Sequence, residues 1–266
     1  MTALTTLARR SLARASLPLR SGLGRLSQYG PRPPRFAGAY ASVAEALAAV
    51  PPSRLAGYDH DAAVDVSLEA MSQVHLWDYP VLFWLDRLLK PGAVVLDVGG
   101  HLATKPTAFA RLLDLSDVSW IIQDLPAVVS RGKALQAAGR VPPQVSFRES
   151  LVGCPRPDVL LASGLLQYLD RPFPELLRQL PGRPGAILLN KVAMRNGPEV
   201  VTLERIGPAR VPYRIRNRAG FEAELAVLGY RTADHWSIPQ LSHRITTHPG
   251  LGRSESRGMA LIDLSS

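Results

Sequence analysis

A doubly wound α/β fold with a mostly parallel sheet is predicted here by three observations. Short apolar runs alternate with segments of helical spacing from residue 94 to residue 189. Two of these runs stop at a carboxylate, Asp97 and Asp124. The first carboxylate is followed by the pair Gly99-Gly100, which lets the backbone turn sharply beside a ligand. Ligands of open α/β sheets sit beyond the carboxyl ends of the strands, so both acids are expected to face one crevice.

Each element follows from a local signal. Helical material is expected from Phe36. Ser42 with Glu45 three residues on reads as a capping box, and Pro51-Pro52 ends that helix. A second helix is expected over 62–75. A third opens with Pro80 in its first turn and runs to Leu89, with Val81, Leu85, Leu88 and Leu89 on a core face and Pro91-Gly92 as the stop. These form an N-terminal helical shoulder. Strands follow at 94–98, 118–123, 145–148, 159–162 and 186–189, with helices at 107–115, 126–138 and 173–180 between them. A loop through Arg218 precedes a helix over 219–228. Strands at 230–236 and 258–262 close the chain as an antiparallel terminal hairpin at the sheet edge.

Composition narrows the class. With 266 residues, 46% of them hydrophobic and 20% charged, the chain can bury one large core. The single cysteine, Cys154, has no cysteine partner for a disulfide or a zinc site, and the six histidines lack metal-ligand spacing, so no metal is expected. No run approaches the roughly 18 apolar residues of a membrane span, and a cytoplasmic protein is the expectation. The formal charge of +9 is concentrated at the start: residues 1–44 hold seven arginines and no acid, which leaves +2 for residues 45–266. A nearly neutral body without a basic stripe or stacking motif argues against nucleic-acid binding. The arginine-rich head, residues 1–34, is read as a mobile tail; a targeting peptide and weak contact with an anionic membrane surface are the other readings.

Four segments carry a resemblance. Val-Leu-Asp-Val-Gly-Gly (95–100), Gln-Asp-Leu-Pro (123–126), Leu-Leu-Ala-Ser-Gly-Leu-Leu-Gln-Tyr-Leu (160–169) and Gly-Phe-Glu-Ala-Glu-Leu-Ala-Val-Leu-Gly-Tyr (220–230) are similar, in order and spacing, to the landmarks of class I S-adenosylmethionine-dependent methyltransferases. More narrowly, the chain resembles a little-characterised bacterial methyltransferase family often found in surface-polysaccharide gene neighbourhoods. Arg-Phe-Ala-Gly-Ala-Tyr (35–40), Gly57-Tyr58-Asp59, Tyr79-Pro80-Val81-Leu82 and Gln167-Tyr168-Leu169 support this, and the likeness spans about residues 35–264. It implies a Rossmann-like methyltransferase fold over residues 92–266, with residues 35–91 as a shoulder or lid.

The resemblance also implies a site. S-adenosylmethionine carries a ribose diol, an adenine, an amino-acid end and a sulfonium, so its pocket needs a diol acceptor, apolar walls and few cations. Asp124 suits the diol, because a carboxylate accepts two hydroxyl hydrogens at once. Leu125 would wall the adenine, Glu149 or Ser150 would meet its amino group, and Asp97 with the turn at Gly99 and Gly100 would hold the methionine end. Ser163 and Gly164 would face the sulfur. A base for a hydroxyl acceptor is sought among His75, Asp78, His101, Glu204 and His243, with His101 preferred because its turn adjoins the methyl donor. Tyr58, Tyr79, Trp84, Gln167, Tyr168, Asn190, Lys191 and Tyr213 are candidates for the acceptor pocket, foremost Tyr79, Gln167 and Tyr168.

The expected activity is methyl transfer to a small molecule or a glycan precursor, at a hydroxyl. Ala103 stands where a third glycine is common, which keeps open a non-catalytic binding or sensing module on the same fold. A nicotinamide-dependent oxidoreductase is disfavoured, since Gly-x-Gly-x-x-Gly is absent from the first turn and Tyr168 lacks the lysine of Tyr-x-x-x-Lys.

Overall fold

The computed structural model describes residues 15–28, 30–57 and 71–264. Its central strands are β3 (Val94–Val98), β4 (Ser119–Gln123), β5 (Val145–Arg148), β6 (Val159–Ser163) and β7 (Ala186–Arg195), hydrogen-bonded in the order β5-β4-β3-β6-β7, all parallel. β11 (Glu255–Asp263) runs antiparallel against β7, and β10 (Tyr230–Ser237) runs antiparallel against β11.

Alternate residues of β3, β4, β6 and β7 enter two separate hydrophobic clusters. Val95, Ile122, Leu161 and Leu188 belong to one, and Leu96, Ile121, Leu160 and Ile187 to the other. That is why the strands read as continuous apolar runs: the sheet is covered on both faces. The first cluster is completed by α3 (Tyr79–Leu88) through Val81, Leu82 and Leu85, by α4 (Thr104–Phe109) through Phe109, and by α5 (Pro126–Ala137) through Val128 and Val129. Burial of side chains of this kind stabilises by roughly 1.5–3 kcal/mol each. The second cluster is completed by α6 (Phe173–Arg178) and α7 (Arg218–Ala226), through Phe173, Leu176, Phe221 and Leu225.

The N-terminal region departs from the expected helical shoulder. Phe36–Tyr40 is not helical but a strand, β1, antiparallel to β8 (Val200–Ile206). Residues 190–218, expected as a loop, extend β7 to Arg195 and then form a hairpin of β8 and β9 (Ala209–Asn217). Alternation of Ala209, Val211, Tyr213 and Ile215 with Arg210, Arg214 and Arg216 builds β9, but Pro212 within it counts against a strand. β2 (Leu55–Ala56) pairs with β9. The capping box does form: Ser42 Oγ accepts the Glu45 N–H at 3.1 Å, Glu45 Oε2 accepts the Ala41 N–H at 2.8 Å, and α2 spans Val43–Ala48. The helix expected over 62–75 falls mostly outside the described residues. Within the head read as a mobile tail, Leu17–Ser27 forms a helix, α1, whose Gly24 abuts the Thr246 backbone and whose Ser21 donates to the Thr247 carbonyl at 2.9 Å.

β7 has two partners along the same edge. Ala186 to Asn190 pair with β6, whereas Met194 and Arg195 pair with β9. Between them stands Lys191 at φ +60, and the β7–β11 register shifts over the same stretch. The left-handed residue turns the strand from one partner toward the other, so β6 and β9 diverge there.

Candidate functional site

The turn after β3 is built around two acids with different surroundings. Asp97, at the end of β3, is 1% exposed; its Oδ2 accepts the Trp120 Nε1–H at 3.2 Å. Burial pushes its carboxyl up to about 7, and the nearby charge of Asp124 pushes the same way against that hydrogen bond. Gly100 lies directly over it, where an added Cβ would come within 2.7 Å of the carboxyl carbon and 3.1 Å of Ile122. Gly99 takes φ +72, a conformation glycine adopts without penalty.

Asp124, at the end of β4, clamps the same turn. Its Oδ2 accepts the His101 N–H at 2.8 Å and its Oδ1 accepts the Leu125 N–H at 2.8 Å. His101 and Ala103 both stand in the left-handed region, at φ +56 and +58, immediately before α4. Two non-glycine residues in that region are held there by surrounding contacts, of which the Asp124 bond is one.

A first cavity of about 580 Å³ opens beyond these strand ends. Gly99, His101, Gln123, Asp124 and Leu125 form one wall, Gly164 and Leu165 after β6 another, and Val43, Leu47, Val211 and Pro212 close it from α2 and β9. The volume is that of a small-ligand site. Its residues suit a sulfonium nucleoside: a rim carboxylate with lone pairs left for a diol, apolar walls, and a glycine turn that brings backbone to the surface.

A second cavity of about 510 Å³ shares Gly164 and Tyr168 with the first. It follows the divergence of β6 and β9 and is lined by Trp77, Lys105, Gln167, Lys191, Tyr213 and His243, among others. Its floor is a buried network. Lys105 Nζ lies 2.8 Å from each oxygen of Asp78, which is fully buried and also accepts the His75 N–H at 3.1 Å. Asn190 extends a long 3.5 Å contact to Asp78, donates to Ser163 Oγ at 3.4 Å and accepts the Trp236 Nε1–H at 3.1 Å. Opposite, buried Glu204 accepts from Arg35 Nε at 2.8 Å and from the Tyr168 hydroxyl at 2.6 Å. Burial lowers Lys191 to about 8, aided by the charge of Lys105. His243 stacks on Phe36 with ring centroids 3.8 Å apart, and burial lowers it to about 4, so it is neutral at pH 7.

The residues singled out in the sequence distribute unevenly over this geometry. Gly99, His101, Asp124 and Leu125 line the first cavity, Gln167 the second, and Tyr168 both. Asp97 and Gly100 sit beneath the turn and line neither cavity. The Glu149 side chain is exposed beyond β5, and only its carbonyl is used, by Gln123 Nε2 at 3.2 Å. Ser163 faces Asn190. Tyr79 is 56% exposed and outside both cavities; Trp84 donates to Asp234 at 3.1 Å; Tyr58 lies outside the described residues. Among the candidate bases, His75 and His243 line the second cavity, Asp78 and Glu204 are held in ion pairs, and His101 lies on the first. Sequence reasoning missed Arg35, Trp77 and Lys105. The lysine alone carried a signal, being the single cation in the turn after Gly100.

No family model and no curated protein sequence matches this chain. Among solved structures, the chain is similar to the Burkholderia thailandensis 1,6-didemethyltoxoflavin-N1-methyltransferase, with bound 1,6-didemethyltoxoflavin and S-adenosylhomocysteine, at 18% identity and TM-score 0.46 over 71% of this chain and 78% of that one. It is similar to the magnesium protoporphyrin IX methyltransferase of Synechocystis PCC 6803 with bound SAM, at 15% identity and TM-score 0.44 over 74% and 79%. Human N-acetylserotonin methyltransferase in complex with SAM matches at 16% identity and TM-score 0.45 over 74% and 54%.

Proposed function

We propose that the chain is an S-adenosylmethionine-dependent methyltransferase acting on a hydroxyl of a small molecule or glycan precursor, in the cytoplasm and within surface-polysaccharide synthesis. The observation that carries this reading is the meeting of two cavities at Gly164 and Tyr168, beyond the carboxyl ends of β3, β4 and β6, with Asp124 on the first of them. A donor and an acceptor need that arrangement, one compartment each with a shared wall, so that nucleophile and methyl carbon align out of bulk water.

In this reading Asp124 holds the ribose diol, Leu125 walls the adenine, and the backbone at Gly99 receives the amino-acid end. Asp97 and Gly100 support the turn from below. Glu149 and Ser163 keep their assigned roles only if the loops after β5 and β6 close on the ligand. Bound S-adenosylmethionine supplies an activated methyl group on sulfur. Much of the acceleration then comes from alignment, and a base serves only to take the hydroxyl proton. His101 stays the candidate nearest the donor, while His75 faces the acceptor side. Residues 35–91 act as a shoulder through Val43, Leu47, Ala56 and Gly57, which border the donor cavity.

One observation favours a non-catalytic module on the same fold: both Asp124 oxygens already accept backbone N–H groups, and Ala103 is fully buried at φ +58. Calorimetric titration of the full chain with S-adenosylhomocysteine tests both readings. Saturable one-to-one binding, weakened at least tenfold by Asp124→Asn in a variant that melts like the parent, is expected. Absence of binding would remove both readings. Binding without methyl transfer to any acceptor in a cell extract would leave the module.

A further inference from the structure

The second cavity holds several polar atoms without partners among the described residues. Gln167 is 7% exposed, and its Oε1 has no hydrogen-bond partner; neither has the Trp77 indole N–H nor His243 Nε2. The Lys191 amine makes no hydrogen bond or ion pair among the described residues, although it lies close to Gly164, where the two cavities meet. Buried polar groups are normally satisfied, so three such atoms around one void, with the Lys191 amine beside them, point to a ligand that completes them. The left-handed backbone of Lys191, rare for a non-glycine residue, is what brings its side chain to this wall.

Four cations line the cavity; two are paired, Arg244 is exposed to solvent, and Lys191 stands on the inner wall. Lys105 is neutralised by Asp78 and Arg35 by Glu204, each through contacts of 2.8 Å or less. Lys191 is left without an ion pair among the described residues, and the buried carboxylates of Asp78 and Asp97 act on it only from beyond contact distance. Burial depresses its amine to about 8, so it is still largely protonated at pH 7, and an anion beside it would recover what desolvation withholds. A single amine on the inner wall, with Arg244 out in solvent, suits a carboxylate better than a phosphate monoester, which carries about −1.5 to −2 at neutral pH. Phe36, Trp77, Tyr168 and Tyr213 line the same space. Phe36 and Tyr213 stand edge to face at 4.9 Å, and Tyr168 and Tyr213 at 5.6 Å. Such walls favour a flat, unsaturated body.

We infer that the second cavity takes an aromatic or unsaturated carboxylic acid, its carboxylate paired with Lys191 and its ring held among Phe36, Trp77, Tyr168 and Tyr213. Gln167 Oε1 then accepts from a hydroxyl or amine of the same molecule beside Gly164. The inference deepens the methyl-transfer reading and rests on it for the cavity being an acceptor site.

Benzoate, the neutral isostere benzamide, and phenyl phosphate are the probes, titrated into the full chain with tryptophan fluorescence as readout. Benzoate is expected to saturate the signal, with benzamide and phenyl phosphate at least tenfold weaker. Lys191→Met is expected to erase the preference for benzoate over benzamide, and Lys191→Arg to keep most of it. S-adenosylhomocysteine titrated into the same samples reports on the first cavity and confirms that each variant is folded. Equal binding of benzoate and benzamide by the parent chain overturns the inference, as does no benzoate binding, a preference for phenyl phosphate, or a preference that survives Lys191→Met. Benzoate selectivity without S-adenosylhomocysteine binding would keep the anion site and remove the methyl-transfer reading instead.

Discussion

Lys105→Met removes the cation that contacts both oxygens of Asp78 and leaves that carboxylate buried with the His75 N–H and the long Asn190 contact. Asp78 is fully buried, so water cannot replace the lost partner without opening the packing of the 3₁₀ turn Leu76–Asp78 against β7. Stripping one partner from a buried ion pair costs about 3–5 kcal/mol, because the remaining charge stays desolvated. Urea unfolding of the full chain, followed by tryptophan fluorescence, is expected to lose that amount of stability. The double variant Lys105→Met with Asp78→Asn is expected to recover more than half of it, since the orphaned charge has gone and methionine fills much of the lysine stem's volume. A loss below about 1 kcal/mol in the single variant would refute the reasoning and mean that solvent reaches Asp78.

Three further outcomes follow from the same geometry. The Asp97 carboxyl sits at about 7 against an ordinary 3.8, so the folded chain keeps a proton that the unfolded chain releases between those pH values. Its stabilising contribution is full below about pH 4 and declines as pH rises toward 7, by roughly 4 kcal/mol at most. Asp97→Asn is expected to flatten that decline between pH 5 and 8, and parallel stability curves for parent and variant would count against it. Gly100→Ala places a methyl 2.7 Å from the Asp97 carboxyl and 3.1 Å from Ile122; a loss of about 1–3 kcal/mol is expected, and an unchanged melting temperature would contradict the packing described. Tyr168→Phe removes the 2.6 Å hydroxyl contact to buried Glu204, with an expected cost of about 1–3 kcal/mol in urea unfolding.

The sheet was legible because its strands are buried on both faces. Val94–Leu96 and the runs around Ile121 and Leu160 are continuous in apolar residues, Val145–Arg148 alternates apolar with polar, and length and flanking turns mark them as strands. Gly99 and Asp124 were legible for a related reason: a strand end that needs a positive φ or an acceptor announces it in residue type. The β8–β9 hairpin was not, since Pro212 inside the run counts against a strand although Arg210, Arg214 and Arg216 alternate with Val211, Tyr213 and Ile215. Asp97 and Asp124 occupy equivalent strand ends, yet one lies under Gly100 against Trp120 and the other lines a cavity. That difference depends on the neighbouring strand and on the fold of the turn, which no local pattern encodes. The second cavity was the least visible part, because Lys105, Lys191, Gln167, Tyr213 and His243 come together only where β7 leaves β6 for β9.

Amide hydrogen exchange of the full chain with and without S-adenosylhomocysteine tests the central claim most directly, because it reports where the nucleoside sits as well as whether it binds. Slowed exchange over residues 99–101, 123–125 and 164–165 is the predicted footprint. Binding that leaves those segments unchanged and protects another part of the chain would contradict the account.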